Sequence, residues 1–394
     1  MRRVELLAPA GDLLKLKIAL HYGADAVYLG GTEYSLRARA SNFTLQDIEK
    51  GVRFAHRSGR KVYVAVNAFF HPEDAKGLPG YLKKLEAIGV DALIVASSGA
   101  ASLVGQHTSL PFHISTQQST TNSEAVRFWE GRGAGRTILA RELTMDELER
   151  LRKATDAELE VFIHGGMCAS YSGRCTLSNH MTHRDANRGG CAHSCRWDYD
   201  LYAMNDKLDI ETPFSLGSKD LCAVREVPRL IGMGIDALKI EGRMKSIHYI
   251  ATVVNVYRRL IDAVLQDDPI DFAALEEEIA KAENRPTGQG FLKGSPSHTE
   301  QLYNLRSEPV NKVFLGIVKA YDEKREEAVI DVRNRFSAGD TLEILTPAGP
   351  SAPFRVESLF DEEGYPLQTA RHPRERIRLK TPRKVEPYDL LRRV

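Results

Sequence analysis

The sequence predicts a (β/α)8 barrel of the TIM type with a cysteine-rich insertion ahead of its last strand, followed by a small β-barrel domain. Three observations predict it. A helix-Gly-strand junction recurs, as GADAVYL (23–29), GVDALIV (89–95), GAGRTIL (133–139) and GIDALKI (234–240), and Gly59 stands in the same role before KVYVAV. Eight short apolar runs succeed one another. More than seventy residues separate the seventh run from the eighth, and four of the five cysteines fall in the first half of that interval.

Each junction has a physical reason. A Gly just past a helix accepts the left-handed backbone that closes the last turn, and a continuous apolar run behind it suits a parallel strand covered on both faces. In order the runs are ELLA (5–8), AVYLG (26–30), VYVAVN (62–67), ALIVAS (92–97), FHIS (112–115), TILA (137–140), LEVFIHG (159–165) and ALKIEG (237–242). Eight such strands close a barrel; an open doubly wound sheet is the alternative. Thr44 with Asp47, and Thr144 with Glu147, mark helix starts whose free amides these side chains can satisfy.

The barrel, with its insertion at about 164–222, is expected over 1–300, and an all-β domain over 305–394. The latter shows short runs at 313–318, 328–332, 341–344, 354–359 and 376–379, separated by turns such as Ala338-Gly339-Asp340. Its last stretch sets nine basic residues (Arg371, Arg374, Arg376, Arg378, Lys380, Arg383, Lys384, Arg392, Arg393) against three acidic ones (Glu375, Glu386, Asp389). That local +6 suits phosphate contacts or a solvated face.

Composition narrows the class. Over 394 residues, 54 basic side chains nearly cancel 53 acidic ones, so nucleic-acid contact needs local clustering rather than a global positive field. The opening MRRVELLAPAGDLLKL is broken by Glu5, Pro9, Gly11 and Asp12, which argues against a signal peptide or membrane span. A cytoplasmic protein is expected. There thiols stay reduced, so clustered cysteines favour metal ligation or catalysis over disulfides.

The pattern is Cys168, six residues, Cys175, fifteen, Cys191, three, Cys195, with Cys222 twenty-six residues on. Paired CxxC knuckles of a zinc ribbon are absent, and irregular spacing suits thiolates wrapped around a larger iron-sulfur cubane. A nucleophilic Cys168 with His164 as base is the competing reading. Barrel active sites gather at the C-terminal strand ends, which here carry Asn67, Ser97, Gln117, Arg141, Glu142, His164, Glu241 and Arg243.

These residues resemble a known family. EVFIHGGMC (160–168) with SGRCTLS (172–178) is similar to the signature of the collagenase-like peptidases of family U32, and LLAPAG (6–11), AVYLGG (26–31), RARASNF (37–43), RDANRGGC (184–191), CRW (195–197), SKDL (218–221) and KIEGRMKS (239–246) agree with it. The tail segment RNRFSAGD (333–340) resembles that of the family's prephenate-dependent tRNA uridine hydroxylases. The resemblance implies an oxygen-independent hydroxylase acting on the wobble uridine of tRNA, with prephenate as hydroxyl donor and a 4Fe-4S cluster on Cys168, Cys175, Cys191 and a fourth cysteine. Cys222 is the favoured fourth ligand, Cys195 the alternative.

The candidate catalytic residues are Arg39, Arg141, His164, Glu241 and Arg243; the candidate substrate-binding residues are Arg37, Asn42, Phe43, Lys245, Arg184 and Arg196. Arginines suit the two carboxylates of prephenate through their fork geometry, and Phe43 or Trp197 can stack on a flipped-out base. Expected partners are tRNA and, within the family, a paralogous chain, without membrane contact. Two other classes stay open: a peptidase, for which the chain lacks HExxH and GxSxG motifs, and a non-enzymatic RNA-binding protein with a structural metal.

Overall fold

A computed structural model describes residues 4–36, 42–210, 214–282, 285–302 and 313–394. Eight parallel strands follow in order: β1 (Glu5–Pro9), β2 (Ala26–Gly30), β3 (Lys61–Val66), β4 (Ala92–Val95), β5 (Phe112–Ile114), β6 (Ala134–Ile138), β7 (Leu159–Gly165) and β8 (Ala237–Ile240). Each pairs with the next along the chain, and β8 pairs with both β7 and β1, so the ring closes. The doubly wound alternative is excluded by that closure.

The recurring Gly-x-Asp junction has a structural use beyond the turn. Gly23, Gly89 and Gly234 all take positive φ. The Asp two residues later then caps the first free amide of a neighbouring strand: Asp25 accepts from Leu6 N at 3.0 Å, Asp91 from Val62 N at 2.8 Å and Asp236 from Leu159 N at 3.0 Å. Strand register is thereby fixed at the lower rim by three equivalent hydrogen bonds. The Thr44 and Thr144 capping boxes form as the sequence suggests.

The barrel interior is less apolar than its strands imply. Glu160 is fully buried and accepts from Lys239 Nζ at 2.7 Å and Arg136 at 3.2 Å. A buried carboxylate persists in such surroundings only when paired.

The tail folds as a nine-stranded antiparallel sheet around its own apolar core, which includes Leu315, Val332, Phe336 and Leu391. It packs firmly on the barrel. Tyr22, the C-cap of the first helix (Leu13–His21), donates to Leu345 O at 2.7 Å, and Asn255, on the long helix Ile247–Gln266, donates to Pro347 O at 2.7 Å. Arg392, fully buried, pairs with Glu278 of the barrel at 2.6 Å and with Glu343 of the tail. Among the described residues no helix is long and apolar enough to cross a membrane.

Candidate active site

The C-terminal ends of the strands open into a cavity of about 630 Å³ lined on one side by strand ends and on the other by the cysteine-rich insertion. The insertion is pinned by side chains. Glu142, just past β6, accepts from Ser172 Oγ at 2.7 Å, and the Asn187 amide pairs with both backbone groups of Cys175, at 3.2 and 2.9 Å. Arg188 ties the same segment to Asp74 and to Phe69 O.

Cys168, Cys175, Cys191 and Cys195 all line this cavity. Burial pushes the Cys195 thiol up, and its neighbours Cys168, Cys191 and Cys175 add to the shift while Arg196 opposes it. Ser170 N donates to Cys168 Sγ at 3.4 Å. Among the described residues no three His, Cys, Asp or Glu side chains close on a point that would grip one metal ion, so the four thiols share a cavity wall rather than a single centre. Four thiols lining one cavity with several cations supply the donor type of an iron-sulfur cluster, whose ligands spread around a cubane.

Cys222, the favoured fourth ligand of the sequence reading, is placed apart from this grouping. Cys222 lies on a short strand, Asp220–Cys222, that pairs antiparallel with the end of β7 and sets Cys222 opposite His164. Its thiol bonds to Tyr257, and it is not among the cavity-lining residues. Cys195 is the thiol that shares the cavity wall with Cys168, Cys175 and Cys191.

Arg141, Glu241, Arg243 and Lys245 meet at the cavity, as their strand-end positions suggest, and Arg196 joins them from the insertion. Arg141 lies over the Phe162 ring at 3.9 Å, donates to Gly166 O at 2.9 Å and stands 3.8 Å from Glu241. Glu241 accepts from Tyr28 Oη at 3.0 Å. Arg243 is buried and donates to Ser35 Oγ at 3.2 Å through both terminal nitrogens. It packs beneath Gly30, where a Cβ would stand 2.0 Å from its Nη1.

Other candidates are placed elsewhere. His164 is fully buried behind the wall. Tyr257 uses its proton on Ile163 O at 2.9 Å, so at 3.2 Å His164 Nδ1 is the donor to Tyr257 Oη. Burial, with Lys245 nearby, lowers the His164 pKa to about 3, so the imidazole is neutral and buttresses β7 rather than serving Cys168 as a base. Phe43 is core, 1% exposed, bridged to Gly31, and cannot stack on a base. Trp197 remains exposed. Asn42 and Arg184 are half-buried and do not line the cavity. Arg37 and Arg39 lie outside the described residues.

The sequence reading missed Tyr28, Lys239, Gln117 as a cavity donor, Asp220 and Arg285, all at or behind this wall. Asp220 lies inside the SKDL segment (218–221), where the sequence shows only the family resemblance. Arg285 had no signal, because it follows the last strand by more than forty residues and returns to the mouth only through the fold. The basic tail is also less free than its composition implies: Arg392 is buried, and Arg376, Lys384 and Arg393 pair with Glu362, Glu323 and Asp340.

Comparison with known proteins adds an independent line. A model described as peptidase family U32 matches residues 11–302, and one described as the peptidase family U32 C-terminal domain matches 311–392. The chain is 45% identical to tRNA hydroxylation protein P1 of Bacillus subtilis, covering 100% of this chain and 95% of that protein. It is 35% identical to tRNA hydroxylation protein P of Escherichia coli, covering 94% and 92%. It is also 30% identical to a protein named collagenase from Porphyromonas gingivalis, covering 99% and 97%.

Proposed function

The chain belongs to peptidase family U32, and from that premise we propose that it is an RNA hydroxylase, acting on the wobble uridine of tRNA and taking the hydroxyl group from prephenate without molecular oxygen. The observation that carries the reading is the meeting of four thiols and a cationic wall in one cavity at the barrel mouth. The names of the full-length relatives supply the RNA and the hydroxylation.

In this reading Cys168, Cys175, Cys191 and Cys195 hold a 4Fe-4S cluster, which supplies one-electron redox chemistry when bound. The rest of the work falls to the chain. Arg141 and Arg243 present planar forks to carboxylates, and each is held rigid, by Phe162 and Gly166 in one case and by Gly30 and Ser35 in the other. Glu241, already engaged by Tyr28, is the carboxylate placed to accept a proton at the cavity wall. Trp197, exposed two residues after Cys195, offers a face for an unstacked base. Arg371 and Arg374, on the exposed face of the tail, supply phosphate contacts outside the mouth.

Peptidase activity finds less support. A cysteine nucleophile needs a base within hydrogen-bond reach, and His164, the base considered for Cys168, is neutral, buried and committed to Tyr257. The deciding experiment supplies anaerobically purified protein with unmodified tRNA and prephenate carrying 18O in its hydroxyl group. Labelled 5-hydroxyuridine is the expected product. Unlabelled 5-hydroxyuridine would remove prephenate as donor, and gelatin cleavage with no nucleoside product would return the protein to the peptidases.

A further inference from the structure

The cavity lining is divided by charge. Among the described residues, every lining side chain from Leu36 to Ile138 is neutral, and Ala65, Ile94 and Ile138 give that sector apolar surface. The charged lining residues are Lys15 and those from Arg141 onward. Carboxylates are drawn to the second sector, whereas a neutral ring loses little on entering the first. That neutral sector holds a polar group to which the contacts described above give no role.

Gln117 lies in the turn Thr116–Gln118 after β5 and is 2% exposed. The direction of its amide is set, through Asn67, by a backbone group that can only donate. Leu36 N donates to Asn67 Oδ1 at 3.0 Å, which turns Asn67 Nδ2 toward Gln117, whose Oε1 accepts from it at 2.8 Å. Ser115 Oγ accepts from Gln117 N at 3.3 Å and donates to the same Oε1 at 3.1 Å. Both lone pairs of Oε1 are then engaged, and Nε2 remains as a pair of donors, buried and without a hydrogen-bond partner. A buried donor at a cavity wall is explained by a ligand that accepts from it.

We propose that Gln117 reads the target base: its Nε2 donates to the C4 carbonyl of a uracil ring lodged in the neutral sector, and Asn67 is the positioning residue that keeps the amide from turning over. Position 4 is where the two pyrimidines differ, since uracil shows a carbonyl acceptor there and cytosine an amino donor. A donor held in one direction accepts the first and rejects the second. The C4 carbonyl also adjoins C5, the carbon that carries the new hydroxyl in 5-hydroxyuridine, so the same contact places the reacting carbon. The inference rests on the reading of this cavity as a uridine-hydroxylating site, and it deepens that reading by naming the group that tells uridine from cytidine.

Anaerobically purified full-length protein tests it with two anticodon stem-loops that differ only in uridine or cytidine at the wobble position. Affinity is read by calorimetric titration, and hydroxylation with prephenate supplied is read by nucleoside mass spectrometry. The wild type should favour the uridine stem-loop about 10- to 100-fold in both, because cytidine leaves Nε2 buried against a second donor. Gln117→Glu, at about pH 8 where the new carboxyl is ionised, presents an acceptor instead and should reverse the preference toward cytidine, which a mere loss of folding cannot do. Gln117→Leu presents neither and should bring the two stem-loops within about threefold of each other; it carries the test if the glutamate variant fails to fold, as judged by thermal unfolding. Asn67→Ala lets the amide turn over, so the preference should fall several-fold through a gain in cytidine binding. Equal use of both stem-loops by the wild type overturns the proposal. So does a raised prephenate KM in Gln117→Leu with the base preference intact, which would assign Gln117 to the hydroxyl donor. A base preference that follows the variants in binding, without hydroxylated product, keeps Gln117 as base reader and sinks the hydroxylase reading. Hydroxylated uridine with the wild-type preference in both Gln117 variants does the reverse, and protein that binds neither stem-loop overturns both.

Discussion

Replacing Arg392 by Met should separate the tail from the barrel energetically. Arg392 is 0% exposed, and its guanidinium engages Glu278 at 2.6 Å, together with Glu343 and, more loosely, Thr252 at 3.4 Å. Lys281, 37% exposed, also pairs with those two carboxylates, at 3.0 and 3.3 Å. Methionine fills much of the space but leaves two buried carboxylates sharing one half-exposed ammonium. Breaking a buried pair in this way costs about 3–5 kcal/mol, and Lys281 should hold the loss near the lower figure, about 3 kcal/mol. Urea unfolding at pH 7 would read this as a lower midpoint with an unchanged m-value.

The pH dependence supplies an internal check. Burial pushes the Glu278 carboxyl up, and hydrogen bonding to Arg392 and Lys281 more than reverses that, leaving it below its ordinary value. A depressed carboxylate contributes stability at pH 7 that is lost as pH falls through the folded value. Without Arg392 the burial effect prevails, so the variant's deficit should shrink as pH falls from 7 toward 5. A loss under about 1 kcal/mol, or a deficit independent of pH, would refute the view that this triad clamps the two units.

Three further outcomes follow from the site and the core. Cys195→Ala should abolish bound iron and sulfide in anaerobically purified protein, whereas Cys222→Ala should keep most of both; the opposite order would restore Cys222 as ligand. Gly30→Ala places a Cβ 2.0 Å from Arg243 Nη1 and 2.3 Å from Ser35 Oγ, so the guanidinium must shift and the KM for prephenate should rise at least about tenfold with tRNA affinity unchanged. An unaltered KM would show that Arg243 does not meet the donor. Burial lowers the pKa of His113, His164 and His248 to about 3. Each is neutral when folded but protonates below about pH 6.5 when unfolded, so each removes about 1.4 kcal/mol of stability per pH unit as pH falls below that value. Unfolding free energies that stay flat from pH 7 to pH 5 would contradict this.

What could be read from the sequence was whatever is written locally. Gly23 with Asp25, Gly89 with Asp91, and the Thr44 and Thr144 caps act within a turn or between adjacent strands, so a few residues suffice to reveal them. Arg141, Glu241 and Arg243 were legible because strand ends of a barrel share one face. The failures are all questions of which side a side chain takes once distant segments meet. Phe43 suits either base stacking or core packing by sequence, and its bridge to Gly31 turns it into the core. For Cys222 and Cys195 spacing leaves the placement open, and the antiparallel pairing of Leu221 with Gly165 sets Cys222 opposite His164, beside Tyr257. Arg392 counted toward a basic surface, although its partner Glu278 lies more than a hundred residues away in sequence. Removing the tail, which composition alone presents as a detachable RNA-binding unit, would expose Tyr22, Asn255 and Glu278 together.

The central claim, that this chain hydroxylates tRNA uridine through the cysteine-bearing cavity, is tested most directly by nucleoside mass spectrometry. The tRNA would come from a strain lacking this chain and any redundant hydroxylase, complemented with either the wild-type protein or Cys168→Ala. Restoration of 5-hydroxyuridine derivatives by the wild type, and none by Cys168→Ala, is the predicted result. Equal 5-hydroxyuridine in the uncomplemented strain, or full restoration by Cys168→Ala, would contradict it.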